Sequence, residues 1–166
     1  MIELDNSTKE LILDEVMTQD RAYKFIDELT LANSILYKEL DQVKQPHSTT
    51  DFNDLFNKLL INKAILNSGP DVISDYIQQI LTWLKDTTPV RYSVSFKPRH
   101  EFVKKLYAWT KKNLQGAQLV EIEVTPEILG GVKISLNGKY YDFGLEKMVE
   151  QYFIDNKNAI LSILQK

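Results

Sequence analysis

The chain has 166 residues, 43% hydrophobic and 26% charged, which is the balance of a soluble globular protein with room for one ordinary domain or two small ones. It has no cysteine, which excludes disulfide staples, cysteine metal sites and a thiol nucleophile. The net charge of −3 is unevenly spread: residues 1–89 hold 15 acidic and 8 basic side chains and residues 90–166 hold 8 and 12, which describes either two differently solvated faces or two modules with different partners.

The opening MIELDNSTKE has neither the basic stretch nor the apolar core of a signal peptide. No apolar run approaches the roughly 20 residues of a membrane span, so a chain that is soluble or only peripheral to a membrane is expected. The first half reads as helices. NSTKELILDEVM opens with Ser7 and has Glu10 three residues later, a capping-box pattern. In RAYKFIDELTLANSILYKELDQV, Ala22, Ile26, Leu29, Asn33, Leu36, Leu40 and Val43 recur at steps of four and three, one stripe along a helix that Asn33 interrupts. Pro46 and the polar HSTT end the pattern. TDFNDLFNKLLINKAIL restarts it, with Thr50 or Asp51 as N-cap and Phe52, Leu55, Phe56, Leu59 and Leu60 on one face. Gly69-Pro70 closes one helix and opens the next. DVISDYIQQILTWLK then places Ile73, Tyr76, Ile77, Ile80 and Leu84 on one side. Four such helices fit a small antiparallel bundle.

The period changes after KDTTP. In VRYSVSFK, Val90, Tyr92, Val94 and Phe96 alternate with polar residues, the pattern of a half-buried strand that Pro98 ends. RHEFVKKLYAWTKKNLQG is a basic amphipathic helix with Phe102, Val103, Leu106 and Tyr107 inward and Gly116 as its stop. VEIEV is a second strand with Val120, Ile122 and Val124 on one face. The expected fold class is α+β: a helical bundle over residues 1–88, then a small α/β domain over 89–166 of order β-α-β-β-α.

The segment PEILGGVKISLNGKYYDFGLEKM carries the strongest local signals. Asn137-Gly138 between alternating apolar runs marks a two-residue hairpin, because both residues tolerate the positive φ of a type I′ turn. That turn sets Leu136 opposite Lys139, Ser135 opposite Tyr140, Ile134 opposite Tyr141, Lys133 opposite Asp142 and Val132 opposite Phe143. Ile134, Tyr141, Val132 and Phe143 then share the core side, and Lys133 faces Asp142 on the other. Gly130-Gly131 precedes a strand, whereas a phosphate loop opens onto a helix with Lys and Ser/Thr after it. The pair is therefore expected to supply positive φ or a close backbone approach. Gly144 allows the turn into the closing helical segment.

No catalytic constellation emerges. His47 lies in a polar loop and His100 at a helix start, without ligands at metal spacing. Ser93 and Ser95 lack a nucleophile-elbow pattern. Glu121 and Glu123 read as the wet face of a strand, and Trp83 and Trp109 as core or interface packing. No catalytic residue, cofactor or metal is expected. Lys104, Lys105, Lys111 and Lys112 could contact phosphates, but the GxxG clamp and paired strand aromatics of small RNA-binding modules are missing, and the pI near 5.4 argues against nucleic acid.

The stretch VEIEVTPEILGGVKISLNGKYYDFGLEKMVEQY resembles the C-terminal signature of the delta subunit of F-type ATP synthases, whose mitochondrial counterpart is the oligomycin-sensitivity-conferring protein. Leu129, Gly130, Gly131, Val132, Gly138, Asp142 and Leu145 occupy matching positions, and Gly144 stands where the family usually has Ser. The preceding VSFKPRHEFVKKLYAW looks like the strand and helix before that signature, so the resemblance covers roughly residues 92 to 153. The first half is similar only in kind, with about four helices where the family has about six. A similar ending occurs in the E subunit of V- and A-type ATPases, but that protein carries a long N-terminal coiled-coil helix, and Pro46 and Gly69-Pro70 break the helices here.

The resemblance implies a stator subunit without an active site. Its N-terminal bundle would hold the N-terminal helices of alpha subunits and its C-terminal domain the end of the b subunit. It would sit at the cytoplasmic face of the inner or plasma membrane only through the complex. Leu11, Leu13, Ile77, Leu81 and Trp83 are the candidate lining of a groove for an amphipathic helix, and Met148, Tyr152 and Phe153 are candidates for the stalk side. The alternatives are an adaptor or regulatory module for another helical partner and a small RNA-binding protein, whose affinity would fall steeply with salt.

Overall fold

The structure is a computed structural model that describes residues 4–36, 50–62, 65, 68–114, 119–158 and 161. Helix α1 (Asn6–Val16) starts at Asp5, whose carboxylate accepts the Thr8 N–H at 2.9 Å. The cap is therefore Asp5 and not the expected Ser7: an ionised carboxylate is the stronger acceptor for an orphan N–H and favours the positive helix end. Met17, at φ 54°, stops α1. Thr18 caps α2 (Gln19–Ile35). The stripe expected to run on through Leu40 and Val43, as well as Pro46, His47 and Gly116, lies outside the described residues. Helix α3 (Thr50–Asn62) begins at the expected Thr50–Asp51 step. Helix α4 (Pro70–Asp86) begins with Pro70 in its first turn, where a missing N–H costs nothing.

The four helices bury one face each. Ile12, Leu13 and Val16 meet Phe25, Ile26 and Leu29 of α2, Phe52, Leu55, Leu59 and Leu60 of α3, and Ile73, Tyr76, Ile77, Ile80, Leu81 and Leu84 of α4. Each large side chain buried this way contributes roughly 1.5–3 kcal/mol.

Strand β1 (Val90–Val94), helix α5 (His100–Asn113) and strand β2 (Val120–Val124) form a crossover unit in which β1 and β2 are parallel, Val90 opposite Val120. Strands β3 (Gly131–Leu136) and β4 (Lys139–Gly144) follow as an antiparallel hairpin, and α6 (Leu145–Asp155) leaves β4 directly. The sheet order is β2-β1-β3-β4. The fold is α+β, with the expected β-α-β-β-α order after the helices. Strand β1 stops at Val94, so Phe96 is not part of the buried face expected for it. Its partner β3 begins at Gly131, one residue beyond the Val94↔Val132 pair, and the pairing runs out. Phe96 instead packs edge-to-face on Phe102, centroids 5.2 Å apart, and both rings are exposed. Phe102 thus does not face inward; Tyr107 and Thr110 are the buried side of α5.

A division at residues 88 and 89 falls between α4 and β1, but the hydrophobic core runs across it. Val90, Tyr92, Tyr107, Leu119, Val120 and Ile134 belong to the same cluster as the bundle residues. The α1–α2 turn lies along the edge of β2, where Val120 N–H donates to the Met17 carbonyl at 2.9 Å and Thr18 bridges to Val120. Beside it, Asp14 accepts from Tyr107 Oη at 3.0 Å and from Lys111 Nζ at 2.8 Å.

Candidate docking surfaces

The hairpin has the register that its turn demands, from Leu136↔Lys139 to Gly131↔Gly144. Asn137 and Gly138 take φ of 49° and 75°, as a type I′ turn requires. Gly131 combines both expected roles. It has φ 86°, and a Cβ there would overlap the Phe143 carbonyl oxygen. The crowding arises because Gly130 C=O accepts the Leu145 N–H at 2.9 Å, which ties the start of β3 to the start of α6.

Asp142 holds the same corner. Its Oδ1 accepts the Gly144 N–H at 2.8 Å, and its Oδ2 lies 3.8 Å from Lys133 Nζ and 3.5 Å from Lys147 Nζ. The Gly144 hydrogen bond, and then the two ammonium groups, hold this carboxyl below the usual carboxylate range. Gly144 itself gives α6 no side-chain cap.

The expected core side of the hairpin is only half covered. Ile134 is buried and Val132 partly so, but Tyr141 and Phe143 are exposed. They lie on the correct face of the sheet, but β4 is an edge strand, and among the described residues no further strand pairs beyond it. The exposed surface continues onto α6, which has no buried residue. Leu145, Met148, Val149, Tyr152 and Phe153 recur at helical spacing along one face, and all are exposed, Met148 at 66%. Three of the candidates, Met148, Tyr152 and Phe153, thus lie together. Tyr141, Phe143, Leu145 and Val149 extend the surface; sequence reasoning assigned the first two to the core. Leu129, at 76% exposure, precedes the Gly-Gly step.

The candidate groove lining in the bundle divides differently. Leu13, Ile77 and Leu81 are buried in the core, because the stripes of α1 and α4 that carry them pack against α2, and they offer no surface to a partner in this conformation. Leu11 and Trp83 are half-buried. Trp83 borders an open groove of about 550 Å³ between α1 and α4, lined also by Leu4, Lys9, Gln79 and Thr82. Lys9 Nζ lies 5.9 Å from the Trp83 ring centroid, within cation–π range.

Several other polar groups have structural partners. Arg91 donates to Glu121 at 2.9 Å, and that contact raises the guanidinium further above its ordinary value. The buried Tyr92 hydroxyl lies 2.6 Å from Thr110 Oγ1, and burial pushes its pKa up. Burial, and then the Asp14 carboxylate, push Tyr107 up more strongly. His100 is exposed at the start of α5. Among the described residues no three His, Cys, Asp or Glu side chains converge on a possible metal position, and no helix is long and apolar enough to cross a membrane.

No individual curated protein matches the chain. The family model described as "ATP synthase delta (OSCP) subunit" matches residues 3–152, which takes in the bundle, the sheet and most of α6. The chain belongs to the ATP synthase delta (OSCP) subunit family, and it is a peripheral-stalk subunit of an F-type ATP synthase.

Proposed function

We propose that this subunit is a non-catalytic joint with two docking surfaces. The bundle takes the N-terminal helices of alpha subunits in the α1–α4 groove beside Trp83. The β4–α6 face, with Met148, Tyr152 and Phe153 at its centre, takes the C-terminal end of the b subunit. The subunit is then held at the cytoplasmic face of the inner or plasma membrane through the complex alone.

The observation that carries this reading is the uncovered apolar surface of β4 and α6. A helix whose whole apolar stripe is exposed gains little from its own chain and much from a partner that buries it. The shared core and the Asp14–Tyr107–Lys111 contacts support a joint stiff enough to carry torque between the two surfaces.

The test is a binding titration of the full chain against the isolated catalytic head and, separately, against a soluble b-subunit fragment. The double variant Tyr152→Asp/Phe153→Asp should lose at least about tenfold in affinity for the b fragment, the scale of a lost aromatic anchor pair, and bind the head normally. Unchanged b affinity in a folded double variant would show the stalk side to be elsewhere.

A further inference from the structure

Helix α5 carries a surface that the two docking faces above do not use. Its core-facing side is Tyr107 and Thr110 with Val103 and Leu106 beside them. Phe102, Lys105, Trp109 and Lys112 follow at steps of three, four and three, so at 100° per residue they share a stripe about 80° wide, pointing away from the core. All four are exposed, Trp109 at 47%. At the start of the helix, the exposed Phe96–Phe102 pair borders a hollow of about 350 Å³ rimmed by Lys97, Arg99 and Lys105 and by the single acid Glu101. Residues 97–112 hold six Lys and Arg against the single acid Glu101. Among the described residues, only Lys111 of those six is in a salt bridge, with Asp14.

A solvated basic face would need no aromatic rings, and an apolar core face would exclude the lysines. Exposed rings interleaved with unpaired cations on one helix face match a ligand with apolar anchors and negative flanks. The 3-4-3 spacing is the spacing at which a second helix packs its own ridge, and the local charge of +5 selects an acidic one. A nucleic-acid strand or an anionic lipid surface shares the charge but not the helical spacing.

We propose that the outward face of α5, with the β1–α5 loop, is a third docking surface that takes an acidic amphipathic helix from a neighbouring chain of the assembly. The inference goes beyond the two-surface reading and depends only on the chain being assembled in the complex.

Because the sequence lacks cysteine, a single introduced thiol reports one position. Ala108→Cys, exposed beside the stripe, and Glu150→Cys, on α6, would each carry a maleimide-benzophenone in separately assembled complexes, irradiated and mapped by mass spectrometry. The expected Ala108 adduct lies on an acidic segment of another subunit with apolar residues at helical spacing. Lys105→Glu/Lys112→Glu should reduce its yield about tenfold, with the Glu150 adduct, complex recovery and the melting temperature of the free subunit unchanged. An assembled complex with the Glu150 adduct but none at Ala108, or an Ala108 adduct on lipid, nucleic acid or a basic segment, overturns the third surface and leaves the stalk reading standing. Loss of the Glu150 adduct alone counts against the β4–α6 stalk side, and the Ala108 adduct still decides the α5 face.

Discussion

Replacing Gly131 by alanine tests the hairpin corner most sharply, with Gly138→Ala as its internal comparison. Both glycines have positive φ, at 86° and 75°, so both substitutions carry the left-handed backbone penalty of about 1–2 kcal/mol. Their surroundings differ. A Cβ at Gly138 meets nothing within 4 Å, whereas at Gly131 it overlaps the Phe143 carbonyl and sits 3.0 Å from Gly144 Cα and 3.1 Å from Leu145 N. Those are main-chain atoms, and no side-chain rotation relieves the clash. The end of β4 must move off β3, which adds about 1–3 kcal/mol of overpacking and lost pairing. Urea unfolding of the full chain, followed by tryptophan fluorescence, should therefore place Gly131→Ala about 1–3 kcal/mol below Gly138→Ala. Equal losses in the two variants would refute the close-approach argument and leave φ as the whole cost.

The other predictions concern charge, burial and docking. Asp142 has a folded pKa below its unfolded value, so its stabilisation is complete above the unfolded carboxylate value of about 3.9 and is lost as pH falls through the folded value. The stability gap between wild type and Asp142→Asn should accordingly be constant near neutrality and close in acid; a gap independent of pH would remove the charge from the explanation. Tyr107 is the opposite case, raised in the folded state by burial and then by Asp14. Its contribution is complete below the unfolded tyrosine value of about 10 and is lost as pH rises beyond it, so wild type should lose stability more steeply in alkali than Tyr107→Phe. Ile77→Ala should cost about 2–5 kcal/mol, because Ile77 is fully buried. Met148→Ala should change stability by less than about 0.5 kcal/mol but weaken binding of a b-subunit fragment severalfold; the reverse ranking in denaturation and binding assays would exchange their roles.

Much was legible in the sequence because the signals are local. Asn137-Gly138 admits few turn conformations, and a two-residue turn leaves one register, so every cross-strand pair from Leu136↔Lys139 to Val132↔Phe143 followed. Gly69-Pro70, the stripes of α3 and α4, and the change of period at Val90 depend on neighbours a few residues apart, and they located those elements. The Asp5 cap was missed because Ser7 with Glu10 has the same local pattern, and only the backbone shows which side chain reaches an orphan N–H.

What the sequence alone determined is the kind and order of the elements, and which residues of each could share a face. It could not determine which apolar faces the chain itself covers. Leu13, Ile77 and Leu81 on one side, and Met148, Tyr152 and Phe153 on the other, have the same signature: apolar residues at helical spacing. The first three are buried because α2 packs over them, and the second three are exposed because α6 follows an edge strand with no described strand beyond it. Burial is a property of a pair of surfaces, and periodicity describes only one of them, so the assignment of core and exposed face belongs to the tertiary structure.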